Sequence, residues 1–172
     1  MILKIVVTVG MGRWPFDRLL HAVAPLSLTH DVFVQRGTSD VPLACASARA
    51  VVPSELRRMM AEADVVITHA GNTVRLVQRL GKVPICVARE AARGEMGNDH
   101  QVHFLRREQQ HAPAVGLWGD PAELTLALEA AVADHRDVEQ HLLATRPLPP
   151  EPDLDRAWSR LLHELKVELT SR

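Results

Sequence analysis

Stretches that are apolar throughout alternate along this chain with stretches that are apolar at every third or fourth residue. Residues 2–9 (ILKIVVTV) make a nearly continuous apolar run, the pattern of a strand covered on both faces. Pro15 suits the first turn of a helix, and Phe16, Leu19, Leu20 and Val23 carry helical spacing to about residue 24. A second strand is predicted over 31–35, an irregular segment over 41–48 and a short strand over 50–52. Pro53 and Ser54 open a helix to about residue 63, with Leu56, Met59 and Met60 inward. Further strands are predicted at 65–68, 83–88 and 114–118, and further helices at about 72–80 and 100–110. Asp120 and Pro121 read as a cap and first helical residue, followed by Leu124, Leu128, Ala131 and Val132 on one face. Strand and helix take turns, which predicts an α/β domain with a parallel sheet.

The candidate chemistry concentrates in residues 64–101. The order there is strand, His69-Ala70-Gly71, helix, strand, a polar Gly-containing loop, then Asn98-Asp99-His100-Gln101 at the head of another helix. Open α/β sheets bind ligands at the C-terminal ends of their strands. Gly71 permits a tight turn and close approach of a ligand to the backbone. Asn72 or Thr73 is expected as the N-cap, and the free N–H groups of the next turn suit a phosphate. Asp99 and Gln101 offer hydrogen bonds to sugar or ribose hydroxyls. His69 is either a core histidine bonded to backbone or a functional group beside the phosphate turn. Arg36, in the loop 35–39, either counters phosphate charge or is solvated. Gly10-Met11-Gly12 lacks the third glycine of a dinucleotide fingerprint and Pro15 follows, so no dinucleotide cofactor is expected.

Composition narrows the classes. The formal net charge is −1 and aromatic residues make up 3%, with no Tyr, so nothing points to nucleic acid. Cys45 and Cys86 stand far apart and form no CxxC, which fits a reducing, cytoplasmic setting. The apolar run at the start is too short to span a membrane. His100 and His103 lie one helical turn apart with no third ligand nearby in sequence, so no metal is expected.

Five segments occur together in an order that resembles the C-terminal, nucleotide-sugar-binding half of family 28 glycosyltransferases. They are VTVGMGRWPFDRLL (7–20), VFVQRG (32–37), ADVVITHAG (63–71), LGKVPICVAR (80–89) and GEMGNDHQ (94–101). The match is to the small single-domain forms, such as the catalytic subunit of the two-subunit N-acetylglucosaminyltransferase and bacterial exopolysaccharide counterparts. The resemblance implies one Rossmann-like domain, the C-terminal half of a GT-B fold, over residues 1–145. It implies inverting, metal-independent transfer of a sugar from a nucleoside diphosphate sugar, a UDP-sugar first of all, without a cofactor. Substrate contacts are implied at Gly10, Gln35, Gly37, Gly71, Asn72, Thr73, Arg89, Glu95, Asp99, His100 and Gln101, and a catalytic role at His69. Two features depart from the family: the loop reads HAGNT without a second glycine, and no acid stands at Arg75, Leu76 or Gln78 to hold a ribose. A catalytically degenerate nucleotide-sugar-binding or partner-binding domain is the alternative.

Residues 146–153 (RPLPPEPD) read as a proline-rich linker. Leu154, Trp158, Leu161, Leu162, Leu165 and Leu169 then form one apolar stripe, which predicts an amphipathic helix over 154–172 that docks on its own domain or on another chain. Two-domain relatives draw their general base from an N-terminal domain that has no counterpart in these 172 residues. The resemblance therefore implies a second subunit carrying the acceptor site and a membrane anchor, which would hold this chain at the membrane periphery, or else a homodimer.

Overall fold

Apolar residues on both faces of every central strand require a helix layer on each side, and the chain supplies both. The structure, a computed structural model, describes residues 1–148. The strands are β1 (Lys4–Thr8), β2 (Asp31–Gln35), β3 (Ala46–Ala48), β4 (Val65–His69), β5 (Ile85–Val87) and β6 (Val115–Leu117). The helices are α1 (Asp17–Val23), α2 (Pro53–Glu62), α3 (Asn72–Arg79), α4 (His100–His111), α5 (Pro121–Ala133) and α6 (His135–Thr145). The six strands form one all-parallel sheet in the order β3-β2-β1-β4-β5-β6. This is a Rossmann-like α/β domain, with the parallel sheet that the alternating pattern predicts.

The period of two along the strands sorts the core. Ile5, Val7, Val34, Ile67 and Val87 pack on one face with Leu19, Leu20 and Val23 of α1 and Leu124, Leu128 and Val132 of α5. On the other face Val6 and Val66 meet Met60 of α2 and Val77 of α3. Cys86 and Ala88 meet Val74 of α3 and Leu105 of α4 on that same side. Each fully buried Leu or Ile contributes roughly 1.5–3 kcal/mol. Asp120 accepts from the N–H groups of Ala122 and Glu123, and Glu123 returns a bond to the Asp120 N–H, so the expected cap is a full capping box.

Four details differ from the sequence expectations. The short strand lies at Ala46–Ala48 rather than at 50–52, where Val52 instead precedes α2 and is 67% exposed. The Ala-Ser-Ala edge strand carries no apolar alternation, and only its pairing to β2 makes it a strand. The N-cap of α3 is Gly71, not Asn72 or Thr73, and no side chain caps it. Pro15 stands before the first turn of α1, since Phe16 is its N-cap. The segment after Asp120 is two helices, α5 and α6, which meet at Asp134. No helix among the described residues is long and apolar enough to cross a membrane. The tail 154–172 and most of the linker lie outside the described residues.

Candidate functional site

The strand order reverses direction between β1 and β4, and open α/β sheets bind their ligands in the crevice outside the C-terminal ends of the strands at such a point. One wall is Gly10, just beyond β1, and the other is Gly71, just beyond β4. The His69 imidazole lies between them. A Cβ on Gly10 would lie 2.7 Å from His69 Cε1, and a Cβ on Gly71 would lie 2.4 Å from His69 Nε2. Both positions are glycine because the ring occupies the space a side chain would need.

Gln35 fixes the Gly10 wall. Its buried Oε1 accepts from the Thr8 hydroxyl at 2.6 Å and from the Gly10 N–H at 3.1 Å. Its Nε2 donates to the carbonyls of Gly10 at 3.0 Å and Arg49 at 2.9 Å. Gly10 has φ 77°, a left-handed conformation that favours glycine. Gly37 stands behind it at φ 58°, and a Cβ there would lie 2.7 Å from the Gly10 carbonyl oxygen. Gln35 and Gly37 thus shape the crevice from behind.

The other wall is the start of α3. Gly71 is extended at φ −129° and ψ −163°, and its N–H donates back to the His69 carbonyl at 2.9 Å. Without a side-chain cap, the first-turn N–H groups, at Asn72 and Thr73, are left for solvent or ligand, with the positive end of the helix dipole behind them. Burial, and next the nearby Arg89 charge, pull the His69 pKa down to about 4. The Thr8 backbone opposes them weakly, and no hydrogen bond of ordinary geometry reaches the buried Nδ1. His69 is therefore a neutral imidazole at neutral pH.

The other predicted positions sit on the loop after β5 and in the first turn of α4. Arg89 is 3% exposed. Its Nη1 donates to the carbonyls of Trp14, Pro15 and Glu95, and its Nη2 to that of Val9. Glu95 is buried and takes both arms of Arg18 at 2.8 Å, together with the Glu90 N–H. Gln101 is buried and accepts from the Arg89 N–H at 3.2 Å. These three predicted substrate contacts have protein partners and hold the loops rather than face outward. Asp99 and His100 are exposed at the head of α4. One Asp99 oxygen accepts from the Ala91 N–H, and His100 Nδ1 meets the Asn98 side chain. Arg36 is tied to the Ser39 carbonyl and to Asp40 on the rim.

Arg18 is a structural member of this region that the sequence does not flag, because an arginine on a helix reads as solvated. It is 6% exposed and joins Glu95, the Ala88 carbonyl and the Gly119 carbonyl. Arg13 stacks on Trp14 at 4.3 Å, and Trp14 lies against Gly97, where a Cβ would be 3.4 Å from its ring. No group of three or more His, Cys, Asp or Glu able to hold a metal is found among the described residues. Compared with known proteins, the chain matches no family model and no curated protein.

Proposed function

We propose that this chain is the donor-binding subunit of an inverting glycosyltransferase that takes a nucleoside diphosphate sugar, a UDP-sugar first of all. One observation carries the proposal: at the strand-order reversal the helix that follows β4 starts without a side-chain cap. That arrangement suits a diphosphate, because backbone amides and a helix dipole stabilise the charge that develops on the leaving group without a metal. Gly71, Asn72 and Thr73 hold the diphosphate there, and Asp99 and His100 reach the sugar hydroxyls.

In the reaction the acceptor oxygen bonds to the anomeric carbon from the opposite face. The bond from that carbon to the diphosphate oxygen breaks, the nucleoside diphosphate leaves with the electron pair, and the acceptor proton passes to a base. His69, with a pKa of about 4, is too weak a base for this at neutral pH. It serves as a neutral hydrogen-bonding wall against the diphosphate, and a second polypeptide or a second copy supplies the base and the acceptor site. A membrane-anchored partner would place the chain at the membrane periphery. A catalytically degenerate binding domain is the second reading, favoured by the internal bonding of Arg89, Glu95 and Gln101.

Calorimetric titration of the full chain with UDP, and with GDP and TDP alongside, tests the donor site. Selective UDP binding that disappears in Gly71→Val is expected. Binding unchanged by Gly71→Val, or binding of no nucleotide by the folded chain, counts against it.

A further inference from the structure

Buried charges are normally paired, because an unpaired ion loses its hydration with no opposite charge in return. Arg89 breaks this pattern. It is 3% exposed, and among the described residues no carboxylate pairs with it. The flanking candidates, Glu90 and Glu95, pair with Arg18 instead. The carboxylates of Asp17 and Glu95 act on Arg89 only through their charges, and burial still pulls its pKa down to about 10, so it remains a cation at neutral pH. Four carbonyl oxygens solvate the guanidinium, and the Phe16 ring lies 4.5 Å from its centre.

Those carbonyls are not scattered. Val9 ends the β1 side of the crevice, and Trp14 and Pro15 belong to the loop that leads from it into α1. Glu95 belongs to the loop that leads toward α4. The residue after Val9 is Gly10, which abuts the His69 ring, and the Arg89 charge is felt at that ring. A fixed positive charge therefore stands on the Val9 side of the His69 ring.

Resting on the donor-site reading above, we propose that Arg89 sets the anion preference of this crevice: a diphosphate at the start of α3 adds counter-charge to a buried guanidinium that no carboxylate pairs with among the described residues. Arg89 does not touch the anion, because its donors are taken. It acts through its charge and as a positioning residue that clamps the two loops.

The test is titration of the full chain with inorganic pyrophosphate and with UDP, following the His69 ring signals by NMR, in wild type, Arg89→Lys and Arg89→Met. Arg89→Lys keeps the charge but not the fork. It should stay within about threefold of wild type, whereas Arg89→Met should lose about tenfold in affinity, with the His69 pKa rising because the Arg89 charge lowers it. Wild-type affinity in Arg89→Met, or an equal loss in Arg89→Lys, would overturn the proposal. Should Arg89→Met fail to fold, exposed Asp17→Asn carries the test. It removes a negative charge that reaches Arg89 and should tighten pyrophosphate by about twofold, the scale of one exposed charge. Unchanged or weaker binding would overturn the proposal. UDP binding that is the same in every variant defeats the role of Arg89 and leaves the donor site standing. Failure of wild type to bind UDP or pyrophosphate defeats both.

Discussion

Gly71→Ala puts a methyl group where the His69 imidazole already lies. The new Cβ would stand 2.4 Å from Nε2 and 2.9 Å from Cδ2, about 1 Å inside ordinary contact for the closer pair. The backbone is not the obstacle, since φ at Gly71 is −129°, where any residue is at ease. The ring has no free direction toward its other neighbour, because Gly10 backs it so closely that a Cβ there would lie 2.7 Å from Cε1. Overpacking of this kind costs about 1–3 kcal/mol. The cost belongs to the pair, so it should fall by about 1–2 kcal/mol when His69 is already Ala. Gly10→Ala is the control. Its φ of 77° adds about 1–2 kcal/mol of left-handed strain that removal of His69 does not relieve. Urea unfolding of wild type, Gly71→Ala, His69→Ala and the double variant, with the matching Gly10 set, measures these terms. A Gly71→Ala cost equal in both backgrounds would refute the placement of the ring between the two walls.

Three further outcomes follow from the core and the titrating groups. His69 titrates at 6.5 in the unfolded chain and at about 4 in the fold, so its contribution is fully present above pH 6.5. That contribution is lost as pH falls toward 4, by about 3 kcal/mol in all; His69→Asn should flatten this part of the pH–stability curve. Glu108 is buried beside Arg75 at 3.0 Å, with its carboxyl pKa raised above 4.5, chiefly by burial. Its ionised form is disfavoured in the fold, so wild type should lose stability relative to Glu108→Gln as pH rises from 4.5 upward, read by thermal unfolding across that range. Leu128→Ala, at a fully buried site between α5 and the sheet, should cost about 2–5 kcal/mol in urea unfolding.

The sheet and most helices are legible in the sequence because their signals are local. The run at residues 31–35 becomes β2 with the same limits, and Asp120-Pro121 marks a cap that forms as a capping box. The edge strand Ala46–Ala48 escapes the sequence because three small residues carry no period and pair only through a distant neighbour. Glycine at 10, 37 and 71 points to the crevice, but the reason for glycine at Gly71, and one of the two reasons at Gly10, is the His69 ring, which is a tertiary fact. Arg89, Glu95 and Gln101 show the limit most clearly. Their types and positions match a ligand-binding loop, yet whether a polar side chain faces a ligand or a neighbouring carbonyl depends on contacts such as Arg89 to Val9, 80 residues apart.

The central claim is that a nucleoside diphosphate binds over the start of α3, at the C-terminal ends of β1 and β4. Backbone amide shifts of the full chain on addition of UDP test it most directly. The account predicts that the large shifts cluster at Gly10, Gly37 and the run from His69 to Thr73, with smaller ones at Asp99 and His100. Shifts confined to the opposite end of the sheet, at the 340 Å³ cavity lined by Leu3, Lys82 and His135, or no shifts at all, would contradict it.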